Sequence, residues 1–207
     1  GRPRLRATRQ IDSNGKGIFV IQGSRMRVEN LEFSGARVAD LNGAGIRYEG
    51  RDLTICNGYF HDNENGFLGN PAGTLTIEYS EFADNGLGDA GQTHNLYVGA
   101  GDGTLVFRHN YSHHAHHGHL LKTRAAINYI LYNRLMDEVT GNSSYVIDVP
   151  NGGLTFIVGN LLQQGPDTEN SSMVSYGAEG LGAGRTHNLY MVNNTLVNDR
   201  GAGNFTQ

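Results

Sequence analysis

The 207-residue chain has no tryptophan, a single cysteine and only four prolines. Cys56 has no second thiol to pair with, so no internal disulfide staples the fold and the redox compartment stays open. Such a residue reads as a small buried hydrophobe. No apolar run approaches the ~18 residues of a membrane span, so none is expected. An excess of basic charge is also missing. Sixteen Lys and Arg stand against 20 Asp and Glu, a formal charge of −4, which excludes the basic face of a nucleic-acid binder. The one basic run, Arg2, Arg4, Arg6 and Arg9, reads as a solvated edge strand. The chain begins at Gly1 without an initiator methionine, as a processed or trimmed chain does, so the lack of a signal peptide is uninformative.

Glycine and asparagine are abundant instead, at 30 and 21 residues, the composition of a chain that turns often and tightly. Self-similarity explains why. One template recurs: apolar, any, apolar, two residues, a small or amide residue, any, apolar. It fits "MRVENLEF", "LTICNGYF", "LTIEYSEF", "LVFRHNYS", "NYILYNRL", "TFIVGNLL" and "LYMVNNTL". The second apolar position falls at 28, 55, 77, 107, 130, 157 and 191, spacings that match one coil of a solenoid. Alternation of period two inside each copy means strands, with every second side chain turned inward. The variable step argues against leucine-rich repeats and for an all-β, single-domain right-handed parallel β-helix of about seven coils spanning 1–207. The recurring amides Asn110, Asn133, Asn160 and Asn194 suit an inward ladder at one turn.

A second strand precedes each copy. Apolarity turns Ile18, Ile46, Phe67, Leu96, Leu121, Ile147 and Val174 inward, so Phe19, Arg47, Leu68, Tyr97, Lys122, Asp148 and Ser175 face out. Parallel strands stack about 4.8 Å apart, which makes Tyr97, Lys122 and Asp148 one exposed column, with Arg124 two residues beyond Lys122 on the same face. Leading into it, "HHAHHGH" holds five histidines, of which His117 and His119 share a face and His94 lies beside His119 one coil earlier. Zinc accepts imidazoles, but the spacing is not that of a four-ligand site. The histidines read better as a turn in which one or two act as acid or base. The segment 84–95, with Asp84 and Asp89, reads as a polar turn, with a loop rimming the cleft or a calcium site as alternatives, and 165–172 reads as a long loop; both are candidate substrate walls.

The run "GHLLKTRAAINYILYNRLMDEVTGNSSYVIDVPNGGLTFIVGN" resembles the central coils of pectate-lyase-like β-helix proteins, nearest to the alginate lyase and chondroitinase B family. Lys122, Thr123, Asn128, Asn133 and Gly141 follow that family's order. The resemblance implies a secreted or periplasmic polysaccharide lyase acting on an acidic, uronate-containing polysaccharide or oligosaccharide. Lys122 would remove the C5 proton, an arginine would assist, and a calcium ion would neutralise the substrate carboxylate. Histidines stand here where acidic calcium ligands are expected, so no cofactor is firm and calcium and zinc both remain open. β-Elimination needs a positive group at the carboxylate, a base, and an acid for the leaving oxygen. Arg124 or His119 would supply the first, Lys122 the second, and Tyr97 or His117 the third. Arg47, Asp148, His94 and Asn95 would bind substrate. A uronate C5 epimerase shares the first step. A glycoside hydrolase needs clustered carboxylates, and Asp137, Glu138, Asp148 and Glu179 look dispersed in register. A non-catalytic glycan-binding or structural solenoid needs only exposed aromatics such as Phe19 and Tyr97.

Overall fold

The computed structural model describes residues 1–12, 15–70, 72–87 and 93–207, and every strand pair in it is parallel. Two sheets form. One has eight short strands, from Arg4–Arg6 to Thr195–Asn198; the other has 13 strands running in two tracks, joined where Leu96–Arg108 and Leu121–Leu131 continue through both. Among the described residues no helix is long and apolar enough to cross a membrane.

The repeat dictates the register. Val28, Ile55, Ile77, Phe107, Ile130, Ile157 and Met191 sit opposite one another down one track. Their inward neighbours in the eight-stranded sheet include Phe33, Phe60 and Phe82, stacked at centroid separations of 5.0 and 4.8 Å and fully buried. Stacked identical side chains recur because each coil presents the same inward position to the next, and burying each ring removes about 1.5–3 kcal/mol worth of apolar surface from water.

Between the two sheets the chain turns through one left-handed residue per coil, among them Tyr79, His109 and Tyr132 at φ 52°, 55° and 55°. That conformation costs a non-glycine residue ~1–2 kcal/mol, and it leaves the next backbone N–H pointing along the solenoid axis. The amide ladder answers it. The Asn110 backbone N–H donates to Asn133 Oδ1 at 2.9 Å, that of Asn133 to Asn160 Oδ1 at 2.8 Å, and that of Asn160 to Asn194 Oδ1 at 2.9 Å. Gly159 takes the left-handed place after Tyr132, where a Cβ would lie 2.5 Å from the tyrosine ring. A second ladder, unforeseen in the sequence, occupies the next corner through Asn63, Asn85 and Asn95.

Two placements differ from expectation. Phe19 pairs with Ile46 and packs inward on Phe33 at 5.1 Å, so Val20, 40% exposed, takes the outward place. Four consecutive apolar residues, Ile18 to Ile21, carry no alternation to fix the phase, and the largest ring fills the interior. Cys56 faces outward between Glu29 and Glu78 and is only half-buried. Arg4–Arg6 is an edge strand on Glu32–Ser34, as read.

Candidate functional site

The outward column is assembled by register alone: Arg47 stands opposite Leu68, Leu68 opposite Tyr97, Tyr97 opposite Lys122, Lys122 opposite Asp148, and Asp148 opposite Ser175. Arg47, Leu68, Tyr97 and Lys122, with His94 and Arg124, line a groove of about 370 Å³; Asp148 and Ser175, expected to be exposed in the same column, are instead buried and do not line it. Lys122 Nζ lies 3.0 Å from Asp148 Oδ2 and 5.8 Å from the centre of the Tyr97 ring. The Arg124 Nε–H donates to the Tyr97 hydroxyl oxygen at 2.9 Å. Accepting there leaves Tyr97 its own O–H to donate. Arg124 also donates through Nη1 to Asn151 Oδ1 and through Nη2 to Glu179 Oε2 at 2.6 Å. Arg47, in the same groove, pairs with Glu49 at 3.3 Å.

The histidines divide. His94 and His119 form a buried stack with centroids 4.7 Å apart. Each Nδ1 accepts a backbone N–H, from His119 and from Tyr145, both at 3.0 Å, so each ring is neutral with its proton on Nε2. Gly118 permits this packing, since a Cβ there would meet the Thr93 carbonyl oxygen at 1.8 Å. Burial, then the cations Lys122 and Arg124, push His94 down to about 3. Burial, then His94 and the same cations, hold His119 well below its ordinary range. His119 therefore carries no charge with which to neutralise a carboxylate; its Nε2–H faces Asp148 Oδ2 at 3.4 Å and orients that group. His117 points elsewhere. Its Nδ1 meets Glu169 and its Nε2 accepts from Asn142 at 2.9 Å, neither of them a groove residue. Asn95 is fully buried, and its amide is spent on Asn85, Ser112 and the His113 carbonyl, so it belongs to the interior ladder and not to a binding surface. Asn128 and Asn133 are likewise internal.

The four acids read as dispersed separate into three environments. Asp137 is buried in its own turn, bonded to Ser143 and Thr168. Glu138 accepts from Tyr111 and Arg134. Asp148 and Glu179 meet at Lys122, at 3.0 and 3.4 Å. Only 4% of the Asp148 side chain is exposed against half of that of Glu179, so this pair offers one accessible carboxylate where a hydrolase needs two. Burial raises the pKa of Asp148, against the lowering effect of Lys122. Burial also works to raise Glu179, but Arg124 and Lys122 outweigh it and hold Glu179 below the usual carboxylate range. Glu179, Asn151 and Arg185 escaped the sequence reading as site residues because they lie in turns outside the repeat.

Among the described residues no group of three or more His, Cys, Asp or Glu could hold a metal ion. The donors explain this: both groove carboxylates are engaged by cations, and both imidazole Nδ1 atoms accept backbone N–H groups. The residues present do not fit calcium or zinc. Asp89 lies outside the described residues, and Asp84 pairs with His116 at 3.9 Å away from the groove.

The neutral histidine stack predicts a pH effect. In the unfolded chain both rings protonate near 6.5, whereas the folded chain keeps His94 neutral down to about 3. Stability therefore falls as pH drops below 6.5, by ~1.4 kcal/mol per unit for each ring. His113, lowered chiefly by burial, acts in the same sense. Asp148, being raised, acts in the opposite sense and only as its own carboxylate protonates. The urea midpoint should drop between about pH 6.5 and 5 and the drop should shrink in His94→Gln; a flat midpoint over that interval contradicts the assignment.

A family profile described as "Right handed beta helix region" matches residues 8–162. No curated protein matches the chain, and no solved structure does. With a profile that spans most of its length and a parallel coil seen in every strand pair, the chain belongs to the right-handed β-helix family.

Proposed function

We propose that the groove binds an acidic, uronate-containing glycan and cleaves it by β-elimination. One observation carries the reading: Lys122 and Arg124, with side chains only 12% and 17% exposed, both lie against the Tyr97 ring in a single groove, 5.8 and 5.9 Å from its centre. Solubility does not require cations this desolvated, and in such a site they act on charge more strongly than in water. Arg124 holds the uronate carboxylate, which acidifies the C5 proton. The Lys122 amine removes that proton. The C5–H electron pair forms the C4–C5 double bond, the C4–O bond breaks, and Tyr97 O–H protonates the departing oxygen. Asp148 Oδ2, 3.0 Å from Nζ, orients the lysine, and between turnovers the Lys122 ammonium releases the C5 proton to solvent while the Tyr97 phenolate takes one up, which resets both groups. Arg47 and His94 contact the chain further along the groove. The same reading puts the protein where such polymers occur, secreted or in a periplasm.

A second reading, a binder without turnover, is favoured by the hold that Asp148 and Glu179 have on Lys122. Incubation with a panel of polyuronates separates them. The expected result is a 4,5-unsaturated product absorbing in the ultraviolet from at least one, unaffected by chelator. Tight binding with no product establishes the binder, and inverted uronate without cleavage establishes an epimerase.

A further inference from the structure

Glu179 reaches two cations of the groove from outside its lining and is itself open to solvent. Half of its side chain is exposed, while the two cations it bridges are mostly covered. It reaches them from 55 and 57 residues away in sequence, Oε1 at 3.4 Å from Lys122 Nζ and Oε2 at 2.6 Å from Arg124 Nη2. Its backbone is fixed independently of that contact: the Glu179 N–H donates to the Pro150 carbonyl at 3.0 Å, and the Gly177 N–H to that of Val149 at 2.9 Å. The neighbouring turn is tied down by Gly182 N–H to the Asn151 carbonyl at 3.0 Å and by Asn151 Nδ2 to the Gly180 carbonyl at 3.1 Å. The loop thus needs no carboxylate to hold its course, yet it delivers one.

We propose that Lys122 and Arg124 form a carboxylate subsite which Glu179 fills as a built-in stand-in until the carboxylate of an acidic ligand displaces it. The identity of that ligand as a uronate rests on the glycan reading above; the subsite does not. Asp148 already pairs with Lys122, but the carboxylate partner of the mostly covered Arg124 guanidinium is Glu179, and a desolvated charge is costly to leave unpaired, so an empty groove needs a resident anion. Because Glu179 is exposed at one edge and mobile only at χ angles, it can swing into water when a ligand carboxylate takes its place. The bidentate fit of a guanidinium to a carboxylate favours that ligand group over a monovalent halide. Asp148 remains paired with Lys122 throughout and does not exchange, because it is buried. Glu179 is then a specificity-determining residue: it sets how much an anionic ligand must gain before it binds, and neutral ligands gain nothing by displacing it.

The test uses acetate as the probe. Melting temperatures are measured in acetate and in chloride at equal ionic strength for the wild type, Glu179→Ala and Glu179→Gln. Both variants should show an acetate-specific rise with an apparent affinity ~10-fold or more above that of the wild type, and Lys122→Met added to Glu179→Ala should abolish it. Equal acetate responses in all three proteins, or none in any, overturn the proposal. If acetate fills the variants but no polyuronate is bound or cut by the wild type, the glycan reading fails and the carboxylate subsite stands.

Discussion

Replacing Asn133 by alanine is expected to lower the unfolding free energy by about 3–5 kcal/mol, from the ~1–3 kcal/mol cost of each buried polar group left without a partner. Asn133 is 2% exposed and bonded on both sides. Its Oδ1 accepts from the backbone N–H and the amide of Asn110, at 2.9 and 3.1 Å. Its Nδ2 donates to the Phe107 carbonyl and to Asn160 Oδ1, at 2.9 and 3.0 Å. Alanine takes the side-chain partner from the buried Asn110 N–H and Phe107 carbonyl, while the Asn110 amide keeps its bond to the Ile77 carbonyl and Asn160 Oδ1 keeps the backbone N–H of residue 133. Serine should cost less, since Ser80 fills the same ladder and still accepts from the Gly58 N–H at 2.9 Å. Denaturant titrations, with a midpoint and slope taken for each step, measure both. In a solenoid each coil is stabilised only by its neighbours, so a lesion in a middle coil should also separate unfolding into two steps. An alanine variant that melts like the wild type would show that the ladder is incidental.

That ladder was legible in the sequence because it recurs at a fixed offset from an alternating apolar pair. Periodicity reports whatever every coil repeats: the inward column from Val28 to Met191, the amides, and the outward column from Arg47 to Ser175. It fails where the pattern is locally uniform, as in "GIFVI", where Phe19 and not Ile18 took the interior place. It fails again where the same residue type serves a different corner. Asn95 lies beside a groove strand in sequence, but it completes a ladder begun by Asn63 and Asn85, two coils whose amides the template did not cover.

The second large effect lies in the site. Lys122→Met should destabilise the chain by about 3–5 kcal/mol, the typical result of removing one member of a buried ion pair. Asp148 is left charged with 4% of its side chain exposed, and its other contacts, His119 Nε2 at 3.4 Å and the Ser175 side chain, are neutral donors. Adding Asp148→Leu should recover most of the loss, because the cost comes from the orphaned carboxylate and not from the missing lysine. A double variant as unstable as the single one would mean that Lys122 acts through packing. On the proposed chemistry the single variant also loses turnover, by ~10²–10⁴ for a missing proton acceptor.

The site itself was half legible. Register alone brought Tyr97, Lys122, Arg124 and Asp148 together, because parallel strands in a solenoid have no freedom to slip once the inward face is fixed. What governs their chemistry was not readable in this way. Glu179, Asn151 and Arg185 come from turns whose course no period describes; Arg185 reaches back to the carbonyls of Arg124 and Gly101 at 2.9 and 3.0 Å. The roles of the histidines depend on burial and on which ring nitrogen a backbone N–H occupies. The sequence suggested a turn in which one or two of the five act as acid or base, whereas His119 went into the buried stack with His94, His117 to Glu169, and His113 to Glu81 on the other sheet.

Lys122→Arg tests the central claim most directly. Arginine keeps the positive charge and its pairing with Asp148 and Glu179, so the fold and the binding of an acidic glycan should survive, but a guanidinium does not give up its proton to act as a base. The ultraviolet-absorbing unsaturated product formed by the wild type should fall by ~10² or more in this variant, the lower end of what a general base contributes, while oligosaccharide affinity stays within a few-fold. Product formation at the wild-type rate would show that Lys122 serves only as a cation, and would contradict the account.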